Sequence, residues 1–74
     1  MPIKQTDLRM EAGVKLTLFE EVTPLGIIES QHYRLTTLRS RRPRVLARKE
    51  VAEDAFDLEV IASLMDPVLQ RLIE

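Results

Sequence analysis

The 74 residues carry 12 Asp and Glu against 11 Lys and Arg, one His and no Cys, for a formal net charge of −1. Without cysteine, neither a disulfide framework nor a thiolate metal site is available. A hydrophobic content of 45% at so small a net charge excludes the disordered class. A chain this short stands near the lower limit at which one core holds a fold unaided, so residues 1–74 read as a single small domain with oligomerisation as its remaining staple.

The opening "MPIKQTDLRMEAG" is polar and mixed in charge. It lacks the apolar centre of a secretory signal, and no run approaches the roughly 18 apolar residues of a membrane span, so the expectation is a soluble cytoplasmic protein. Gly13 permits a turn back onto "DLRM", which leaves a short first strand open. From Val14 the period is two: Val14, Leu16 and Leu18 point one way, Lys15, Thr17 and Phe19 the other, and Val22 closes the segment. "TPLG" at 23–26 then supplies turn chemistry. "HYRLTTL" places Tyr33, Leu35 and Thr37 on one face and Arg34, Thr36 and Leu38 on the other, and its Thr and Tyr favour a second strand, antiparallel to the first.

The period then changes. Residues 43–53 lean to helix, because Arg44, Leu46, Ala47, Arg48, Lys49 and Glu50 are acceptable helix formers. A third strand is the alternative, since Arg41, Arg42 and Arg44 would stand at a helix N-terminus, where the macrodipole disfavours positive charge. From Ala55 to Met65, Phe56, Val60, Ile61, Leu64 and Met65 recur at threes and fours, an amphipathic helix with Asp54 as N-cap. Asp66–Pro67 joins a capping residue to proline at a first helical position, so "VLQRLIE" reads as a further short helix or a kinked continuation. The expected fold class is α+β: a small antiparallel sheet of two or three strands in residues 3–40, followed by two or three C-terminal helices on one face.

This order of signals resembles a family. "VKLTLFEEV", a turn, "YRLTTLRSRRPR" and then "FDLEVIASLMDPVLQRL" look like the small tail assembly chaperones of P2-like and Mu-like bacteriophages. Leu35, Thr36, Thr37, Leu38 and Arg39 stand for the strand-ending phrase of that family, Pro43 for its proline, and Leu64, Leu69 and Leu72 for its closing leucines. The resemblance spans residues 14–74 and implies a non-enzymatic protein that transiently binds the tape measure protein while a phage tail is built in the bacterial cytoplasm.

Read from the residues alone, the chemistry of catalysis is thin. His32 is the single histidine, and Ser30, Ser40 and Ser63 have no local base at nucleophile spacing. No cofactor motif is present, and a lone histidine argues against an imidazole metal site. The acids Glu50, Glu53, Asp54, Asp57 and Glu59 lack the central glycine of a calcium loop and fit a solvated helix start.

The strongest feature is charge segregation. Residues 1–33 balance at −2, residues 34–49 at +7 and residues 50–74 at −6. Three readings compete for the basic block. It neutralises the domain's own acids (Glu20, Glu21 and Glu29 across the sheet, or Glu53 to Asp57 on the helix), it meets phosphates through Arg39, Arg41, Arg42, Arg44, Arg48 and Lys49, or it steers an acidic protein partner. The residues selected for partner binding are Arg41, Arg42 and Arg44 for steering and Leu64, Val68, Leu69 and Leu72 for apolar docking, with Leu64, Met65, Val68, Leu69, Leu72 and Ile73 also serving as core. A homo-oligomer surface, a small nucleic-acid-binding regulator and an inhibitor of a host enzyme are the alternatives.

Overall fold

A computed structural model describes residues 2–68 and 71. Its elements are β1 (Ile3–Glu11), β2 (Val14–Val22), β3 (Ile28–Thr37), β4 (Ser40–Leu46) and α1 (Lys49–Met65). The strands form one antiparallel sheet in the order β1-β2-β3-β4, each neighbour in space being the neighbour in sequence. The fold is thus α+β, but with four strands and, among the described residues, one long helix. The expectation of two or three strands and two or three helices is corrected on both counts.

Turn chemistry explains the meander. Glu11 pairs with Val14 across a two-residue loop in which Ala12 and Gly13 have φ of 52° and 77°, the double positive φ that matches the twist of a tight hairpin. At the next reversal Pro24 follows Thr23, the Gly26 N–H donates to the Thr23 carbonyl at 2.9 Å, and the Thr23 hydroxyl accepts from the Ile27 N–H at 3.0 Å. Proline at the second position of a turn and glycine at its fourth are the residues that geometry favours. Leu38 and Arg39 make the last tight reversal, between paired Thr37 and Ser40.

The core lies on one face of the two central strands. Val14 and Leu16 of β2 and Tyr33 and Leu35 of β3 are buried beneath Ala52, Ala55, Phe56 and Val60 of α1, with Leu18 and Leu46 packed at the margin. Leu16 pairs with Leu35 and Leu18 with Tyr33, so the period of two in each strand delivers its apolar side to the helix. Ala52, Ala55 and Ser63 are small, which lets α1 approach the sheet closely while Phe56, with no exposed surface, fills the centre.

Residues 43–46 are strand. Arg44, Val45 and Leu46 pair with Leu35, Arg34 and Tyr33, and sheet pairing overrides a helix propensity worth only tenths of a kcal/mol per residue. The position at the sheet edge also accommodates Pro43, which has no N–H to donate. α1 therefore starts at Lys49, six residues before the expected Ala55. Its N-cap is Arg48, with extended backbone and no side-chain cap, and Asp54 lies inside the helix. Glu50 in the first turn supplies the favourable charge at the positive end of the dipole. α1 stops where Asp66 turns extended. Asp66 Oδ1 then accepts the Val68 N–H at 2.9 Å, the contact a capping aspartate ahead of proline makes. Leu69, Leu72 and Ile73 lie outside the described residues.

Candidate docking surface

β4 and the outer side of α1 form one continuous surface. Register places Arg44 on the helix side of β4, opposite Leu35, and there it borders an open groove of ≈ 290 Å³ with Val51, Asp54, Ala55, Leu58 and Glu59 of α1. Val51, Ala55 and Leu58 are its apolar lining, and Arg44, Asp54 and Glu59 its charged lining. Arg41 and Arg42 precede it in β4 and are exposed.

The helix carries two apolar faces. One is the core face at 52, 55, 56, 60 and 63; the other holds Leu58, Ile61 and Met65, exposed at 68%, 55% and 78%. Past the end of α1, Val68 adds a residue at 69% exposure. Leu64, Met65 and Val68 were expected to serve the core; they face solvent instead, because Ala52, Ala55, Phe56, Val60 and Ser63 already cover so small a sheet. Of the seven residues selected from the sequence, Arg44 lines the groove, Arg41 and Arg42 are exposed on the same strand without lining it, and Leu64 and Val68 lie exposed toward the helix end. Leu69 and Leu72 fall outside the described residues. Sequence reasoning missed Val51 and Leu58, and it placed Ile61 on the core stripe. The signal was a second apolar series at 51, 58, 61 and 65, beside the one that packs.

The basic block is partly consumed within the fold. Arg39 Nη2 donates to Glu59 Oε2 at 2.7 Å, and Arg48 lies 3.9 Å from Glu50. These are helix acids, but not those expected within Glu53 to Asp57; Asp57 is engaged by Arg9 of β1 at 3.0 Å. The exposed remainder, Arg41, Arg42 and Arg44 with Pro43, sits on an edge strand, where charge and proline oppose strand addition by another chain.

The opposite face of the sheet is open and holds a stack that composition alone does not show. Phe19 and His32 are cross-strand partners with ring centroids 5.3 Å apart and planes within 4°. Arg34 lies 4.1 Å above the Phe19 centroid, and its Nε–H donates to His32 Nε2 at 3.2 Å. His32 is thus a mid-strand residue of a cation–π cluster. Among the described residues no three His, Asp or Glu side chains converge as a metal site would, and no buried side-chain polar atom lacks a hydrogen-bond partner. No helix among them is long and apolar enough to cross a membrane.

Comparison with protein-family models, with curated proteins and with solved structures gives no match for this chain.

Proposed function

We propose that this chain is a non-enzymatic protein-interaction module that docks a helical partner along the outer face of α1, and, from its resemblance over residues 14–74, that it acts as a bacteriophage tail assembly chaperone for the tape measure protein. The observation that carries the reading is the exposed series Leu58, Ile61, Met65 and Val68 beside a groove lined by Arg44. An apolar stripe of this spacing receives the apolar face of a second helix, and Arg44 in the groove with the exposed arginines of the same strand would raise association rate and set orientation. The tape measure protein, long and helical, is a partner of that chemistry.

The test is affinity purification of the tagged chain from its host, with nuclease treatment and mass spectrometry. A long helical tail protein is expected, retained after nuclease and lost in Leu58→Glu. Recovery of nuclease-sensitive nucleic acid in its place would overturn the reading. That second reading, a small nucleic-acid-binding regulator, has one observation in its favour: the Phe19, His32 and Arg34 cluster on the open sheet face offers stacking groups beside a cation.

A further inference from the structure

The chain exposes 5512 Å² of surface, against about 4,700 Å² for a compact folded monomer of this mass. The excess goes with an elongated shape of 48 × 20 × 17 Å, in which one helix covers only one face of the sheet. Shape agrees: the radius of gyration is 14.1 Å, where a compact domain of this length has about 11 Å. Both the open side of the sheet and the outer face of α1 are therefore left uncovered in the single chain.

Two faces compete for the cover. The open sheet face exposes Ile3, Met10 and Val45, but Asp7, Lys15, Glu21 and Arg34 stand among them, and Lys15 and Arg34 are already engaged there, by Asp7 and by Phe19. The outer face of α1 is apolar along most of its length, from Val51 at 44% exposure through Leu58 and Ile61 to Met65. Those residues stand at successive a and d positions of a heptad, Asp54 being the one polar member of the series. A heptad stripe is the pattern by which two helices pack side by side.

We infer that α1 pairs with α1 of a second copy of this chain, antiparallel about a two-fold axis near Leu58 and Ile61. The charges select the direction. Glu50, Asp54 and Asp57 all lie in the first half of α1, so parallel pairing would set the acids of one copy against the same acids of the other. Antiparallel pairing moves them to opposite ends and opposes the two helix dipoles favourably. It also brings the acidic start of each helix toward the end of its partner, where exposed Arg71 follows. This inference rests on the reading of the α1 face as a docking surface and names the occupant of that face before a partner helix arrives: an exchange of one helix pair for another.

Sedimentation equilibrium of the full chain from low micromolar to sub-millimolar concentration tests it. The expected mass is twice the 8.5 kDa of the chain, falling to the single-chain value in Leu58→Glu/Ile61→Glu with an unchanged far-ultraviolet circular dichroism spectrum. Both side chains are exposed in the single chain, so the substitutions leave its core intact. Because the sequence has no cysteine, direction is read from a mixture of Val51→Cys and Met65→Cys chains with a short bismaleimide: the mixed pair links, and Val51→Cys does not link to itself. A single-chain mass throughout the range, persistence of the pair in the double variant, or efficient self-linking of Val51→Cys each overturns the inference. Should the chain prove single yet still capture a tail protein that Leu58→Glu releases, self-pairing falls and the docking reading stands; loss of both removes α1 as a docking surface.

Discussion

The Arg9 guanidinium stands 4.3 Å from the centre of the Phe56 ring while its Nη1 donates to Asp57 Oδ1 at 3.0 Å, so one side chain of the edge strand holds two successive residues of the helix. A register shift makes this possible. Thr6 pairs with Leu18 and Asp7 with Thr17, but the next residue in register is Arg9, opposite Leu16. Leu8 is the extra residue of a β-bulge, and by inserting it the strand turns Arg9 onto the helix face, where regular alternation would have set Leu8.

Replacing Arg9 by Ala is expected to lower stability by about 1–1.5 kcal/mol, combining a cation–π contact and a largely exposed ion pair. In a domain of this size that moves Tm by several degrees. Asp57→Ala removes the ion pair alone and should cost less. Thermal and urea unfolding of both variants decides it; an Arg9→Ala midpoint equal to wild type would mean that the helix is held by its core contacts only.

The core has few large members, so each matters. Phe56 has no exposed surface and is the largest of the fully buried side chains. Phe56→Ala is expected to cost about 3–5 kcal/mol, comparable to all the stability a chain of this length can hold. Its circular dichroism should show no cooperative melt. Phe56→Leu, which keeps most of the volume, should retain one, and a cooperative melt in Phe56→Ala near the wild-type temperature would place the core elsewhere.

The parts of the fold that were legible are the ones that bury a face. β2 and β3 alternate cleanly because their two sides meet different surroundings, and Phe56 with Val60 declared the helix for the same reason. β1 was at best an option, since both faces of "IKQTDLRME" are nearly all exposed and an edge strand without burial has no reason to alternate. β4 was misread toward helix because its stability comes from hydrogen bonds to β3 rather than from its own side chains, six of seven of which are exposed. On the outer side of α1, Ile61 and Met65 were assigned inward, and Leu64 and Val68 were read as core as well as docking residues, because any apolar residue at helical spacing looks like core; all four are exposed. What decided their true direction was the small size of Ala52, Ala55 and Ser63, which occupy the sheet side.

The first hairpin offers a test of backbone conformation. Gly13 has φ of 77°, in the region where a Cβ is penalised by roughly 1–2 kcal/mol. Gly13→Ala is therefore expected to destabilise by about 1 kcal/mol, measured by urea denaturation with the slope unchanged. An equal or higher midpoint would mean that the loop relaxes to another turn type without loss.

Arg41, Arg42 and Arg44 combine two physical roles that one set of variants separates. As steering charges they should raise the rate of association with an acidic helical partner, and their replacement by Ala is expected to slow association by about tenfold at low salt and to flatten its salt dependence, with dissociation little changed. As guards of an open edge they should keep β4 from pairing with strands of other molecules, and their loss is expected to increase aggregation on heating whether or not a partner is present. Replacement by Lys keeps the charge for both roles and should restore both properties. Replacement by Glu keeps an edge charge but reverses the steering field, so it should restore solubility while slowing association further. Stopped-flow association at two salt concentrations, alongside light scattering during a thermal ramp, reads the two effects independently. If association is indifferent to all three variants at low salt, the arginines serve the edge alone, and the partner recognises α1 through its apolar stripe without electrostatic guidance.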